Sequence, residues 1–501
     1  MPPPWSRHLP VGTDPSAIDL TAAGSLPAAW ARAWAGAPNR PVVADAGGWV
    51  TAGELEARTR AVAGRYTAAG LVPGDRLVVS AAASHDVVVA HVGALRAGLV
   101  VVPVNGAYRE REVAQIARDC RPAAAVVDDP AMGDWVAAAT GAPVVTCGPD
   151  VALADGPAPP LDTAAPGDDA MLCYTSGTTG VPKGARLTHA NLLAGAEALR
   201  IAWRWVPDDR LVLALPLFHM HGVGVGLHGT LLAGASAVLV PRFEPGAVLD
   251  AARAERGTLF FGVPTMYDRL ATSSRVRELA SLRLCVSGSA PLPPALFARL
   301  AHDAGIDVLE RYGMTETLMN VSNPYDGERR AGTVGFPLPG VEVRLGAGDE
   351  ILVRGPNVFP GYWERPDANA AAFADDGNGD GDGAPWFHTG DVGAFDDDGY
   401  LAIVGRAKEL IISGGFNVYP REVEDVLRTL PGVADVAVIG TPSDEWGEVV
   451  TAVVVADGPL DTDVLLARAA EELAPYKRPR LVRVVDELPR NALGKVLRHE
   501  L

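Results

Sequence analysis

From Val42 onward the chain alternates helix signals with short apolar strand signals, and this alternation limits its fold more than any other feature. Thr51 and Glu54 make an S/T-x-x-E capping box that opens a helix ending near Gly70. Residues 76–80 read as a strand, 86–98 as a helix, 99–104 as a buried strand, 109–119 as a helix and 123–127 as a strand. Strands that alternate with helices pair in parallel, with the helices packed on both sheet faces. Residues 149–168, rich in Pro, Ala and Asp, read as a loop, after which the alternation resumes to about Val308. Residues 333–403 carry more Gly, Pro and short β runs, which predicts a β-rich lobe. The end of the chain reads as a small α/β unit: helix 421–429, strands 434–439 and 449–455, helix 461–473. At 501 residues the chain exceeds one ordinary core. The predicted fold is therefore α/β: a large N-terminal domain, residues 1–405, with parallel sheets and a β-rich lobe. A small C-terminal α+β domain, residues 406–501, follows a break near Gly405 to Lys408.

Composition narrows the function classes. Hydrophobic residues make up 48% and charged residues 21%, a globular balance. A net charge of −18 disfavours nucleic acid as a partner, since phosphates need a basic surface. A few local cations still suffice for an anionic substrate. The cysteines, Cys120, Cys147, Cys173 and Cys285, form no CxxC pair, so neither a zinc site nor a disulfide framework is indicated, and a cytoplasmic location fits. The N-terminal stretch has no apolar core of a signal peptide, and no uncharged apolar run reaches the roughly 18 residues of a membrane span. Arg96 interrupts the best stretch, 93–104. The insertion 375–383, DDGNGDGDG, imitates half of a calcium loop, but its twelfth position is Phe387 and not the required Glu.

Tyr174-Thr175-Ser176-Gly177-Thr178-Thr179-Gly-Val-Pro-Lys183-Gly184 follows a short apolar run. Such a loop lets backbone N–H groups and hydroxyls approach phosphate oxygens, and Lys183 adds a point charge. It is not a Walker A loop, because Pro182 stands where that motif has Gly. Gly224-x-Gly226-x-x-Gly229 follows a strand, yet lacks the acidic residue of a dinucleotide site, so it reads as a chance match. Pro216-Leu-Phe-His219-Met220-His221 offers two histidines at i, i+2 without a third metal ligand nearby.

SGTTGVPKG resembles the phosphate loop of the adenylate-forming superfamily, which includes acyl-CoA synthetases. The other elements of that superfamily appear in order: Tyr312-Gly313-Met314-Thr315-Glu316-Thr317, Phe387-His-Thr-Gly-Asp391, Gly405-Arg406 with Lys408, Ser413-Gly414-Gly415, and Gly494-Lys495. The resemblance implies an acid–CoA ligase that consumes ATP with Mg²⁺ and transfers the acyl group from an acyl-adenylate to coenzyme A. It implies that Glu316 holds Mg²⁺, Asp391 the ribose, Arg406 the ribose or phosphate, and that Lys495 stabilises charge in the first step. Thr175 and His219 join Lys495 and Glu316 as catalytic candidates, and Ser289, Ala290, Pro291, Arg311 and Thr315 join the nucleotide site. The C-terminal domain is expected to turn about Lys408 and to present the glycine loop to the thiol. The Lys495 motif is similar to one that is reversibly acetylated in related enzymes, which would make an acetyltransferase and a deacetylase partners.

The acid pocket is expected from His219, Met220, Ser287 and Met314. ERYGMTETLMNVSNPYDGERRAGTVG, residues 310–335, resembles the malonyl-CoA synthetase branch. A second carboxylate needs a buried cation, and Arg242 and Arg283 are the candidates. Met220 is bulkier than the residue expected there, and Val181-Pro182 replaces an Arg-Ser pair of that branch. Malonate, methylmalonate, another small dicarboxylate and a short monoacid therefore all stand as substrates. Loading of a carrier protein and a non-catalytic nucleotide-binding relic are the alternatives.

Overall fold

A computed structural model describes the chain apart from residues 1–2, 21–23, 162, 176–181, 374–383, 414–415, 444–445 and 492–493. Two large sheets carry the N-terminal part. One has seven strands in the order Gly361–Tyr362, Lys183–Thr188, Asp169–Thr175, Val100–Pro103, Arg76–Ser80, Ala124–Val127, Val145–Cys147. Its central pairs are parallel, with Leu77 opposite both Val101 and Ala124. The other has nine strands, of which Leu309–Tyr312, Leu284–Ser287, Leu259–Gly262, Arg210–Leu213, Ser236–Leu239 and Pro41–Asp45 run parallel side by side. Crossover helices make this possible, since parallel neighbours need a long connection: Arg76–Ser80 is followed by the helix His85–Arg96, Val100–Pro103 by Glu110–Cys120 and Leu259–Gly262 by Pro264–Ala271. The helix Ala52–Ala68 buries Leu55, Val62 and Tyr66 on one face, and the Thr51–Glu54 capping box closes its first turn.

The β-rich lobe is a four-stranded antiparallel sheet in the order Glu342–Leu345, Glu350–Arg354, Phe387–Phe395, Leu401–Arg406. A separate sheet follows, in which Gly447–Ala456 pairs with Val433–Ser443, Ile411–Ser413 and, in parallel, Leu481–Val485. Helices Pro420–Leu427 and Thr462–Glu472 cover it and share its own core of Val423, Leu427, Val436, Val450 and Leu465. The glycine-spaced segment 224–229 binds no nucleotide-like cleft. It lies in a buried wide turn, His221–Leu227, that runs into the helix His228–Leu232, and a Cβ at Gly229 would come within 2.6 Å of the Trp205 ring. These glycines serve close packing.

Candidate active site

Ligands of open parallel sheets sit beyond the carboxyl ends of the strands. Four adjacent strands of the nine-stranded sheet end here in the segments 216–221, 263–265, 287–292 and 312–317. From the other sheet, the hairpin strands Asp169–Thr175 and Lys183–Thr188 pair Thr175 with Lys183 and so bring the two ends of the phosphate-type loop together. Ser176, Gly177, Thr178 and Thr179 lie outside the described residues, as do Gly414 and Gly415 and the acidic insertion 375–383.

On one side of the cleft the polar groups are paired. Glu316 is 5% exposed, and its Oε1 accepts from the Tyr362 hydroxyl at 3.0 Å. Burial raises its carboxyl above the usual range, the Tyr362 hydrogen bond opposing this, and no Lys or Arg among the described residues lies within ion-pair distance of it. A buried carboxylate with one neutral donor suits a hard divalent cation that shares it with phosphate oxygens. The ammonium of Lys183 rests 5.1 Å from the centre of the same Tyr362 ring. Asp391 and Arg406 face each other across the strands Phe387–Phe395 and Leu401–Arg406. Asp391 Oδ1 meets Arg406 Nε at 3.0 Å, and Oδ2 accepts from the Tyr312 hydroxyl at 2.6 Å. Gly313 continues the Tyr312 strand where a Cβ would strike the Leu318 carbonyl, and Met314 and Thr315 are half-buried beyond it.

Lys495 comes to this side from the chain's end. Asn491 and Lys495 close a turn, the Lys495 N–H donating to Asn491 Oδ1 at 2.9 Å and the Asn491 N–H to the Lys495 carbonyl at 2.9 Å. Gly494 takes a φ of +76°, and a Cβ there would come within 2.9 Å of Thr265 on the helix Pro264–Ala271. The turn therefore packs against the N-terminal part of the chain. Burial, and next the Arg406 guanidinium, lower the Lys495 ammonium to about 8, with Glu409 and Asp391 acting the other way. Lys408 lies exposed in the short turn Ala407–Glu409, and Ser413 is buried at the end of Ile411–Ser413.

The other side of the cleft is built differently. His219, His221, Ser287, Ser289 and Arg311 gather there from three strand ends. The His219 Nδ1 accepts the His221 N–H at 3.1 Å, and His221 Nδ1 lies 3.2 Å from Ser289 Oγ. His221 Nε2 and Ser287 Oγ are buried without a partner. Arg311 is 5% exposed, and its Nε and Nη2 make no hydrogen bond. Glu310 points from the opposite face of the strand, where it accepts the Leu292 N–H at 2.8 Å. Burial lowers the Arg311 guanidinium to about 9, still cationic at neutral pH, and lowers His219 to about 4 with Arg311 adding to the effect. A Cβ at Gly288 would collide with this guanidinium, so the glycine makes room for it. Met220 is buried, its Sδ 3.5 Å from Cys173 Sγ, and its methyl fills the space left by Gly224. Ala290 and Pro291 lie on the loop beyond Ser289, whose φ is +69°.

Two expectations for this side are corrected. Arg242 is a surface residue, its side chain 90% exposed and 3.9 Å from Glu244. Arg283 sits at the amino end of the strand Leu284–Ser287, the end away from the site, and is engaged elsewhere. It forms a bidentate pair with the buried Asp209, with Nε to Oδ1 at 2.6 Å, and donates to the carbonyls of Trp203 and Arg204. Neither supplies an unpaired buried cation. Arg311 does, and the signal that would have found it was its place next to the Tyr312 strand end. Among the described residues no group of three metal-ligating side chains converges on the pair of histidines or elsewhere.

The family model described as AMP-binding enzyme matches residues 30–363, and that of the AMP-binding enzyme C-terminal domain matches 422–495. The sequence is 39% identical over 497 residues to a feruloyl-CoA synthase of Amycolatopsis sp, covering 95% of this chain and 98% of that one. It is 36% identical to the mitochondrial malonate–CoA ligase of Mus musculus, covering 84% of this chain and 81% of that one. Among solved structures, ATP-bound MatB from Rhodopseudomonas palustris superimposes with a TM-score of 0.88 at 40% identity, covering 95% and 98% of the two chains.

Proposed function

Because the chain belongs to the AMP-binding enzyme family and is an AMP-forming acid–CoA ligase, we propose that its acid is a small dicarboxylate, malonate or methylmalonate. The observation that carries this reading is Arg311: a buried guanidinium with two donors unused, beside His219, His221 and Ser287. Burying a lone cation costs several kcal/mol, and a bound carboxylate offsets that cost while accepting the free N–H groups as a fork. Arg311 thus serves the acid rather than the nucleotide.

In the first step a carboxylate oxygen of the acid attacks the α-phosphorus of ATP, the bond to the bridging oxygen breaks and pyrophosphate leaves. Lys495 supplies positive charge where negative charge grows on the α-phosphate. Asp391 releases Tyr312 and Arg406 to accept the ribose hydroxyls, and Arg406 turns to the nucleotide. Thr175 and Lys183 flank the β- and γ-phosphates, and Glu316 would hold Mg²⁺, which would neutralise phosphate charge. His219, neutral and with its proton on Nε2 because Nδ1 accepts a backbone N–H, positions the acid. In the second step the CoA thiol attacks the acyl carbon and AMP leaves. Residues 406–501 then act as a domain that turns near Lys408, withdraws Lys495 and brings Ser413 and the Gly414-Gly415 pair to the thiol. Four unbridged cysteines, three of them buried, suit a reducing cytoplasm.

The test is CoA-dependent AMP release with mass detection of the thioester across malonate, methylmalonate, succinate, acetate, propionate and butyrate. Preference for malonate or methylmalonate supports the reading. Dominance of a monoacid rejects the dicarboxylate assignment and leaves the ligase.

A further inference from the structure

One ring on the nucleotide side touches both charged groups that meet the phosphates. The Tyr362 hydroxyl donates to Glu316 Oε1 at 3.0 Å, and the Lys183 ammonium rests 5.1 Å from the centre of the same ring. Besides the Glu316 N–H itself, no other group among the described residues donates to this carboxylate. Oε1 is thus engaged by Tyr362, and no other residue engages Oε2.

Both ends of this hydrogen bond are anchored through backbone. The Tyr362 N–H donates to Asn369 Oδ1 at 2.6 Å, Asn369 Nδ2 donates to the Tyr362 carbonyl at 3.1 Å, and the Trp363 N–H donates to the Gly184 carbonyl at 2.8 Å. The ring stands edge-on to Phe359, with 4.8 Å between centroids. At the other end, the Phe359 N–H donates to the Glu316 carbonyl at 2.9 Å. The buried Asn357 amide donates to the carbonyls of Thr317 and Met319 at 2.7 and 3.1 Å. Residues 357–363 therefore hold the Glu316 backbone and one of its carboxylate oxygens together. A ligand that took both oxygens would share Oε1 with the Tyr362 hydrogen.

Hard divalent cations differ in what they ask of a carboxylate. Mg²⁺ demands a near-ideal octahedron of oxygens, which the narrow bite of a two-oxygen carboxylate distorts. Ca²⁺ accepts a larger, flexible shell and takes carboxylates by one oxygen or by both. We propose that Tyr362 is a specificity-determining residue for the cation: by holding Oε1 it confines Glu316 to one-oxygen coordination and so favours Mg²⁺ over Ca²⁺. The proposal rests on the reading of Glu316 as the Mg²⁺ ligand, and Tyr362 acts through Glu316 without touching the cation. Tyr362→Phe removes the hydroxyl alone, because the ring that packs on Phe359 and carries Lys183 stays.

The experiment uses wild-type enzyme, Tyr362→Phe and Glu316→Gln, each with Mn²⁺ and α,β-methylene-ATP, an analogue that cannot lose pyrophosphate. Bound Mn²⁺ is read by electron paramagnetic resonance, Mg²⁺ and Ca²⁺ are titrated as displacing ions, and the analogue alone is the reference. Wild-type enzyme should raise the preference for Mg²⁺ over Ca²⁺ above that of the analogue alone. Tyr362→Phe should lower this preference by roughly 3- to 10-fold, the scale of one hydrogen bond, through tighter Ca²⁺. Equal preferences in wild type and Tyr362→Phe overturn the proposal. So does a wild type with the preference of the analogue alone, a reading that needs no variant. Glu316→Gln tests the underlying assignment separately: its Mn²⁺ affinity should drop, and an unchanged affinity takes the cation away from Glu316 and Tyr362 together.

Discussion

Around Asp391 and Glu316 the polar side chains meet partners within the protein, Tyr312, Arg406 and Tyr362. Around Arg311 and Ser287 the polar atoms stay buried and unpaired. The difference teaches how each half binds. The nucleotide half rests in a self-paired state and exchanges partners when ATP arrives, so its net gain per contact is modest. On the proposed reading, the other half holds its donors buried and unpaired before the acid arrives, so an anion of the right shape gains there without exchanging partners.

The largest effect that would sharpen the comparison is at Lys495. Lys495→Ala should lower acid-dependent ATP–pyrophosphate exchange by about 10²- to 10³-fold, the scale of removing one donor to developing charge. The same variant should still convert a supplied acyl-adenylate and CoA to thioester. Loss of both half-reactions together would place Lys495 in the fold and not in the first step.

A pH profile separates the halves next. Lys495 is cationic below about 8 and neutral above it. The kcat/KM for adenylate formation should therefore be flat below pH 8 and fall about tenfold per unit above it. Phosphate binding favours the cation, so kcat at saturating ATP should hold to higher pH. A kcat/KM plateau that persists beyond pH 9 would contradict this.

The two surface-side arginines mark what the sequence made readable. The nucleotide motifs are runs of neighbouring residues: the run at 312–317 sets Tyr312 at the end of a parallel strand with Glu316 just beyond it, and the run at 387–391 sets Asp391 within the strand Phe387–Phe395 of the β-rich lobe. The helix and strand spans agree within one to a few residues, because buried stripes and the Thr51 capping box are local signals. The proposed acid half is assembled from three separate strand ends, those that carry His219, Ser289 and Arg311. Spacing along the chain carries no trace of that meeting. Burial decided between Arg242, Arg283 and Arg311, and burial of a single arginine is a tertiary fact.

Those arginines give the smaller effects. Arg283→Ala leaves Asp209 buried without its partner and should cost about 3 to 5 kcal/mol in denaturant-monitored stability, with little change in the ratio of kcat/KM between acids. Arg242→Ala removes an exposed charge, and its kcat/KM for malonate should stay within about twofold of wild type. A selective loss of malonate turnover at Arg242 would return the second carboxylate to the surface side and break the contrast between the halves.

The central claim is that Arg311 receives the second carboxylate. Its most direct test is the ratio of kcat/KM for malonate to that for butyrate, in wild type and in Arg311→Met, which keeps the bulk and removes the charge. The ratio should exceed one in the wild type and fall by about 10²- to 10³-fold in the variant, as expected for one partner of a buried charge pair. A ratio that is the same in both proteins would contradict the account.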